Sequence, residues 1–86
     1  MIPIMRQYTF RVIVEPDENN TFHGWVPALP GCDTWGDSLE ETRANVRDAI
    51  RGYLAVLSED ERPVPADPGY ECIETVSESE IPSKVC

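Results

Sequence analysis

The chain has 86 residues, of which 41% are hydrophobic and 27% charged, which suits one compact domain and leaves too little surface to bury for two cores. Seven Lys and Arg against sixteen Asp and Glu give a net charge of −9 and a pI near 4.3, which disfavours binding to nucleic-acid phosphates and reads first as a means of solubility and alternatively as a match for a basic partner. No apolar run approaches the roughly 20 residues of a membrane span, and Met1 to Arg6 lacks the pattern of a secretory signal, so the cytoplasm is the default location.

In chain order, Gln7 to Glu15 alternates, with Tyr8, Phe10, Val12 and Val14 on one face and Thr9, Arg11, Ile13 and Glu15 on the other, predicting a half-buried strand. Pro16-Asp17-Glu18-Asn19-Asn20 is turn chemistry, and Thr21 to Val26 resumes the strand with Phe22, Gly24 and Val26 opposite His23 and Trp25. After the break at Pro27-Ala28-Leu29-Pro30-Gly31, Cys32 to Gly36 predicts a third strand. Ser38 followed by Glu41 is a capping-box signal for a helix. Leu39, Val46, Ile50, Tyr53 and Leu57 then form one apolar stripe with Ala49 beside it. Arg43, Arg47 and Arg51 line up on the same helix, read first as a solvated face and alternatively as a surface for something anionic.

Pro63, Pro65 and Pro68 stop the helix, and Glu71 to Val76 alternates weakly, predicting a fourth strand. The expected architecture is an α+β domain over residues 1–76, in the order strand-strand-strand-helix-strand, with one amphipathic helix on a small antiparallel sheet. Residues 77–86 form a polar, frayed tail, and no DNA-binding domain is expected. The tail half is the more acidic: eight acids and two bases from Ser58 to Cys86 give −6, against eight acids and five arginines (−3) from Met1 to Leu57.

Catalysis finds little support. The three cysteines form no C-x-x-C pair, and His23 is the only histidine, so Cys32 and His23 read as a small buried thiol and an exposed strand histidine rather than as a nucleophile pair. Phosphate-loop, dinucleotide, serine-hydrolase and zincin motifs do not occur. Glu15, Asp17, Asp33 and Asp37 are the candidates for a carboxylate metal site, but turn formation and helix starts account for acids at such places. No catalytic, metal or cofactor site is expected. Trp25, on the strand face opposite Phe22 and Val26, and Trp35 are candidate anchors for a partner, the alternative being that they pack against the helix or against each other.

Three stretches carry a family resemblance. Val12 to Glu18, Phe22-His23-Gly24-Trp25-Val26-Pro27-Ala28-Leu29-Pro30-Gly31-Cys32, and Thr34-Trp35-Gly36-Asp37-Ser38-Leu39-Glu40-Glu41 fall in order, followed by Tyr53-Leu54 and Pro63-Val64-Pro65. Over residues 8 to 66 the chain resembles the HicB-like antitoxin domains. The resemblance implies a partial ribonuclease-H-like fold without catalytic carboxylates. It also implies a domain that binds and masks a small, basic, mRNA-cleaving toxin of the HicA type. Better-known members often continue into an operator-binding segment, which the polar stretch after Ala66 does not resemble.

The expected function is therefore a non-enzymatic antitoxin domain, with Trp25, Trp35, Glu71 and Glu74 contacting the toxin. Self-association through an uncovered sheet edge is also expected. The alternative is a solitary binding or oligomerisation domain with no toxin.

Overall fold

The computed structural model describes residues 6–82. Three short strands, β1 (Ile13–Pro16), β2 (Phe22–Trp25) and β3 (Asp33–Gly36), form an antiparallel meander in the order β1-β2-β3. One helix, α1 (Leu39–Glu59), lies on one face of the sheet, chiefly over β2 and β3. This is the expected α+β arrangement, without the fourth strand.

The β1–β2 turn is built as its residues suggest. The Asp17 side chain accepts from the Glu18 amide at 2.8 Å, and Asn19 and Asn20 take the left-handed conformation that asparagine tolerates, at φ 59° and 61°. The β2–β3 loop closes on a buried plug. Its ends are held by Val26 N–H to the Cys32 carbonyl at 3.1 Å, Gly31 turns at φ +83°, and Leu29 is fully buried beneath. Val26, Leu29, Cys32 and Val46 make the core, with Phe10, Val12, Ala49, Ile50 and Tyr53 packed around it.

The helix begins at the expected cap: Ser38 Oγ accepts from the Glu41 amide at 3.0 Å, although the reciprocal bond from Ser38 to the Glu41 side chain is not made. Its apolar stripe is seated differently from expectation at one end. Leu39 is 53% exposed, and Thr42 is buried in its stead, with its hydroxyl donating to the Ser38 carbonyl at 2.7 Å. The reason lies in the sheet. A Cβ on Gly24 would stand 2.7 Å from Val46 Cγ2 and 2.8 Å from Thr42 Cγ2, and one on Gly36 would stand 2.6 Å from Thr42 Oγ1. Two glycines thus let α1 approach the strands closely at Thr42 and Val46. At its far end, the Arg62 amide donates to the Leu57 carbonyl at 2.8 Å and the Glu61 amide to Ser58 at 3.1 Å, with Glu61 left-handed at φ 53°. This is a Schellman closure with Glu61 at the place glycine usually takes.

The first strand is shorter than its alternation: residues 7–12 are not in the ladder, although Phe10 and Val12 pack on the core as expected. Residues 71–76 form no strand and are exposed throughout. Pairing would place Glu71, Ile73 and Thr75 on one face and Cys72, Glu74 and Val76 on the other, so neither face is apolar enough to bury. Farther on, residues 78–80 make a single 3-10 turn capped by Ser77, where a frayed tail was expected. Ser83 to Cys86 lie outside the described residues.

Candidate functional site

Strand parity divides the side chains cleanly. Gly24 and Gly36 face α1, so their neighbours His23, Trp25, Asp33 and Trp35 stand on the face that α1 does not cover, and the register adds Ile13 and Glu15 from β1. There the His23 ring stacks between two indoles. Its centroid lies 5.0 Å from that of Trp25 at an interplanar angle of 25°, and 4.5 Å from that of Trp35 at 20°. The result is a flat aromatic slab crossing β2 and β3, with Trp35 49% exposed.

Carboxylates frame this slab. Asp17 Oδ2 accepts from the Trp35 indole N–H at 2.8 Å, and Asp33 Oδ2 lies 3.5 Å from His23 Nε2. The indole bond and the Glu18 amide hold the Asp17 carboxyl below its ordinary range, so it is ionised. His23 Nε2 is shielded from solvent and makes no hydrogen bond among the described residues. An acidic rim around exposed aromatic faces suits a guanidinium or ammonium, which stacks on the rings while pairing with the acids.

Both sheet edges are partly capped. The Trp35 carbonyl on β3 accepts from Asn45 Nδ2 at 2.8 Å. Beyond the start of β1, the Arg11 amide donates to Asp67 Oδ2 at 2.8 Å while the Arg11 guanidinium bonds Asp67 Oδ1 at 3.0 Å. These bonds, with that of the Gly69 amide, hold the Asp67 carboxyl below its ordinary range and fasten the proline-rich connector across the edge.

On the helix side, a groove of about 960 Å³ runs between residues 8–12 and α1. Tyr8, Phe10 and Ile50 contribute apolar surface, and Arg43, Arg47 and Arg51 bring the basic stripe to it. Arg51 pairs with Asp48 at 3.1 Å, whereas Arg43 and Arg47 have no ion pair among the described residues.

Of the residues expected to contact a partner, Trp25 and Trp35 come together on the outer slab. Glu71 lies apart from them at the mouth of the arginine groove, and Glu74 follows in the exposed segment beyond. The four acids weighed as metal ligands do not gather, since Asp17 is engaged by Trp35 and Asp33 stands beside His23. Among the described residues no group of His, Cys, Asp and Glu has metal-binding spacing. The sequence reading missed the part played by His23. The signal was present in its two-residue spacing from Trp25, and only the register set it against Trp35.

A family model described as the HicB_like antitoxin of bacterial toxin-antitoxin systems matches residues 10–80. The chain belongs to that family. A UPF0150 protein of Thermoplasma acidophilum is 37% identical over 62 residues, covering 72% of this chain and 90% of its own length. Another, from Synechocystis, is 33% identical over 60 residues, covering 70% and 76%. The crystal structure of the N-terminal domain of the Burkholderia pseudomallei antitoxin HicB matches with a TM-score of 0.60 and 28% identity, covering 76% of this chain and 72% of that one. In this HicB-like domain, the V-P-A-L-P-G-C stretch is the plugged loop around Leu29, and G-D-S-L-E-E is the glycine-to-cap junction at which α1 meets the sheet. Among the described residues no helix is long and apolar enough to cross a membrane.

Proposed function

We propose that this HicB-like antitoxin domain binds a small basic toxin of the HicA type in the cytoplasm and masks its mRNA-cleaving surface with the outer face of the sheet. The observation that carries this reading is the Trp25–His23–Trp35 stack, solvent-facing and bordered by Asp17 and Asp33, in a chain of net charge −9. Clustered aromatics at the centre of a patch are the usual anchors of an interface, and an acidic surround steers a basic partner towards them. On this reading the domain acts by occupancy rather than by chemistry, and Asp17, one of its candidate acids, is engaged with the Trp35 indole.

The test is co-expression with a short basic protein encoded beside this gene, followed by an mRNA-cleavage assay. Trp25→Ala and Trp35→Ala should each weaken neutralisation by about tenfold or more, a loss typical of an interface anchor. Full neutralisation by the double variant would place the toxin elsewhere on the domain. Absence of any complex with the neighbouring protein would favour the solitary reading.

A further inference from the structure

Apart from Glu71 at the mouth of the arginine groove, the stretch from Tyr70 to Ile81 makes no hydrogen bond or ion pair with the rest of the described residues. Tyr70 and Ile73 are 91% and 92% exposed, Val76 and Ile81 are largely so, and no backbone hydrogen bond is made within residues 70–76. It carries Glu71, Glu74, Glu78 and Glu80 and no basic residue. The match to the HicB-like family nevertheless extends through residue 80, so the family pattern includes it.

The groove beside α1 has the complementary chemistry. Its apolar surface from Tyr8, Phe10 and Ile50 is unfilled, and Arg43 and Arg47 beside it are without acidic partners among the described residues. The spacing also agrees. Tyr70, Ile73 and Val76 recur every third residue and align in an extended, three-residue-per-turn chain, which puts Glu71 and Glu74 about 9 Å apart along an adjacent row. Arg43 and Arg47 stand about 6 Å apart along the helix, a difference that two long arginine side chains span. The arm's own groove is the obvious seat, yet its apolar side chains do not enter it. Asp67 is fastened to Arg11, and Gly69 lies so close against the Arg11 guanidinium that a Cβ would meet it at 2.4 Å, which sets where the chain leaves the edge.

We propose that the arm Tyr70–Ile81 docks in the arginine-lined groove of a second copy of this chain, and the second copy returns its own arm, giving a twofold exchanged dimer. Tyr70, Ile73 and Val76 cover the apolar surface of the partner's groove. Glu71 and Glu74 pair with Arg43 and Arg47 across the interface. Reciprocity is what twofold symmetry requires of such a contact.

Sedimentation and light scattering on the full chain at high micromolar concentration should give twice the 9.7 kDa chain mass. Ile73→Asp and Arg47→Glu should each return it to one chain mass with the circular dichroism spectrum unchanged. Ile73 is almost wholly exposed, so its substitution leaves folding intact. The charge-reversed pair Arg47→Glu with Glu74→Arg should restore the dimer. A single-chain mass for the unaltered protein overturns the proposal, as does a dimer that persists in both single variants. A dimer lost on Trp35→Ala but kept with Ile73→Asp overturns it too, by moving self-association to the aromatic face. Toxin neutralisation does not enter this readout, so its failure and failure of the dimer are separately visible.

Discussion

The indole N–H of Trp35 on β3 donates to Asp17 Oδ2 in the β1–β2 turn at 2.8 Å, reaching past β2 to join the two outer members of the sheet. The bond fixes the outer ring of the aromatic slab against a turn that is itself held by Asp17 N–H to the Thr21 carbonyl at 2.8 Å. The orientation of Trp35 is therefore inherited from the hairpin rather than chosen on binding, which reduces the ordering cost of docking.

Acid should loosen this join. Asp17 and Asp67 both have folded pKa values below the ordinary carboxylate value, through the Trp35 indole in one case and the Arg11 amide in the other. Such groups contribute stability that is complete above the unfolded value near 3.9 and disappears as pH falls through the lower folded value. Asp67→Asn should flatten the acid limb of the urea midpoint measured from about pH 5 to pH 2. Trp35→Phe should move the Asp17 carboxyl titration, followed by NMR, upward towards its ordinary range. An unmoved titration would show that the indole does not bond Asp17 in solution.

The two glycines under α1 should tolerate no side chain. Gly36→Ala places a Cβ 2.7 Å from the Thr42 amide nitrogen, and backbone cannot step aside as a side-chain tip does. Gly24→Ala meets Val46 and Thr42, whose β-branched side chains have few rotamers to escape into. Each substitution should cost about 1–3 kcal/mol in denaturant unfolding, the range for overpacking a filled interior. Gly52→Ala is the control. Nothing lies within 4 Å of its added methyl, and it should be neutral to mildly stabilising.

Much of this arrangement was legible from residue order. The turn at Asp17 to Asn20, the cap at Ser38 and the parity separating His23 and Trp25 from Phe22 and Gly24 are local properties, and local chemistry decided them. What was not legible depended on distant partners. Residues 71–76 carry a weak alternation, but a strand also needs an apolar face to bury, and pairing would give these residues a mixed one on either side. Leu39 fits the helical stripe by spacing, yet the close seat over Gly24 and Gly36 goes to Thr42 because only a small side chain fits there. Trp25 and Trp35 were recognisable as anchors, but their union through His23 required the β2–β3 register. Glu71 and Glu74 share only charge with them, and the connector carries Glu71 to the arginine groove beside α1, away from the aromatic slab.

Glu61 offers a stabilising substitution. It holds φ 53° at the helix closure, where a side chain costs roughly 1–2 kcal/mol and glycine avoids that cost. After the greater backbone entropy of glycine is set against it, Glu61→Gly should raise stability by about 0.5–1 kcal/mol in thermal or urea unfolding. A loss of stability would mean that the Schellman closure is not formed in solution.

The cysteines should differ in reactivity. Cys32 is buried beneath the β2–β3 loop, and desolvation, with Asp33 beside it, raises its pKa, whereas Cys72 is exposed in the arm. The thiolate is the reacting form, so iodoacetamide followed by peptide mapping should modify Cys72 at once and Cys32 only at the rate of unfolding. Equal rates would show that the loop around Leu29 opens on its own.

The parity of the strands has one more consequence. Outward side chains of the sheet take no part in the packing that seats α1, and inward ones never meet a visitor. A substitution at Trp25 or Asp33 therefore alters the outer face without touching the packing that seats α1. On the proposed reading, identity and integrity are written on alternate letters of the same strand.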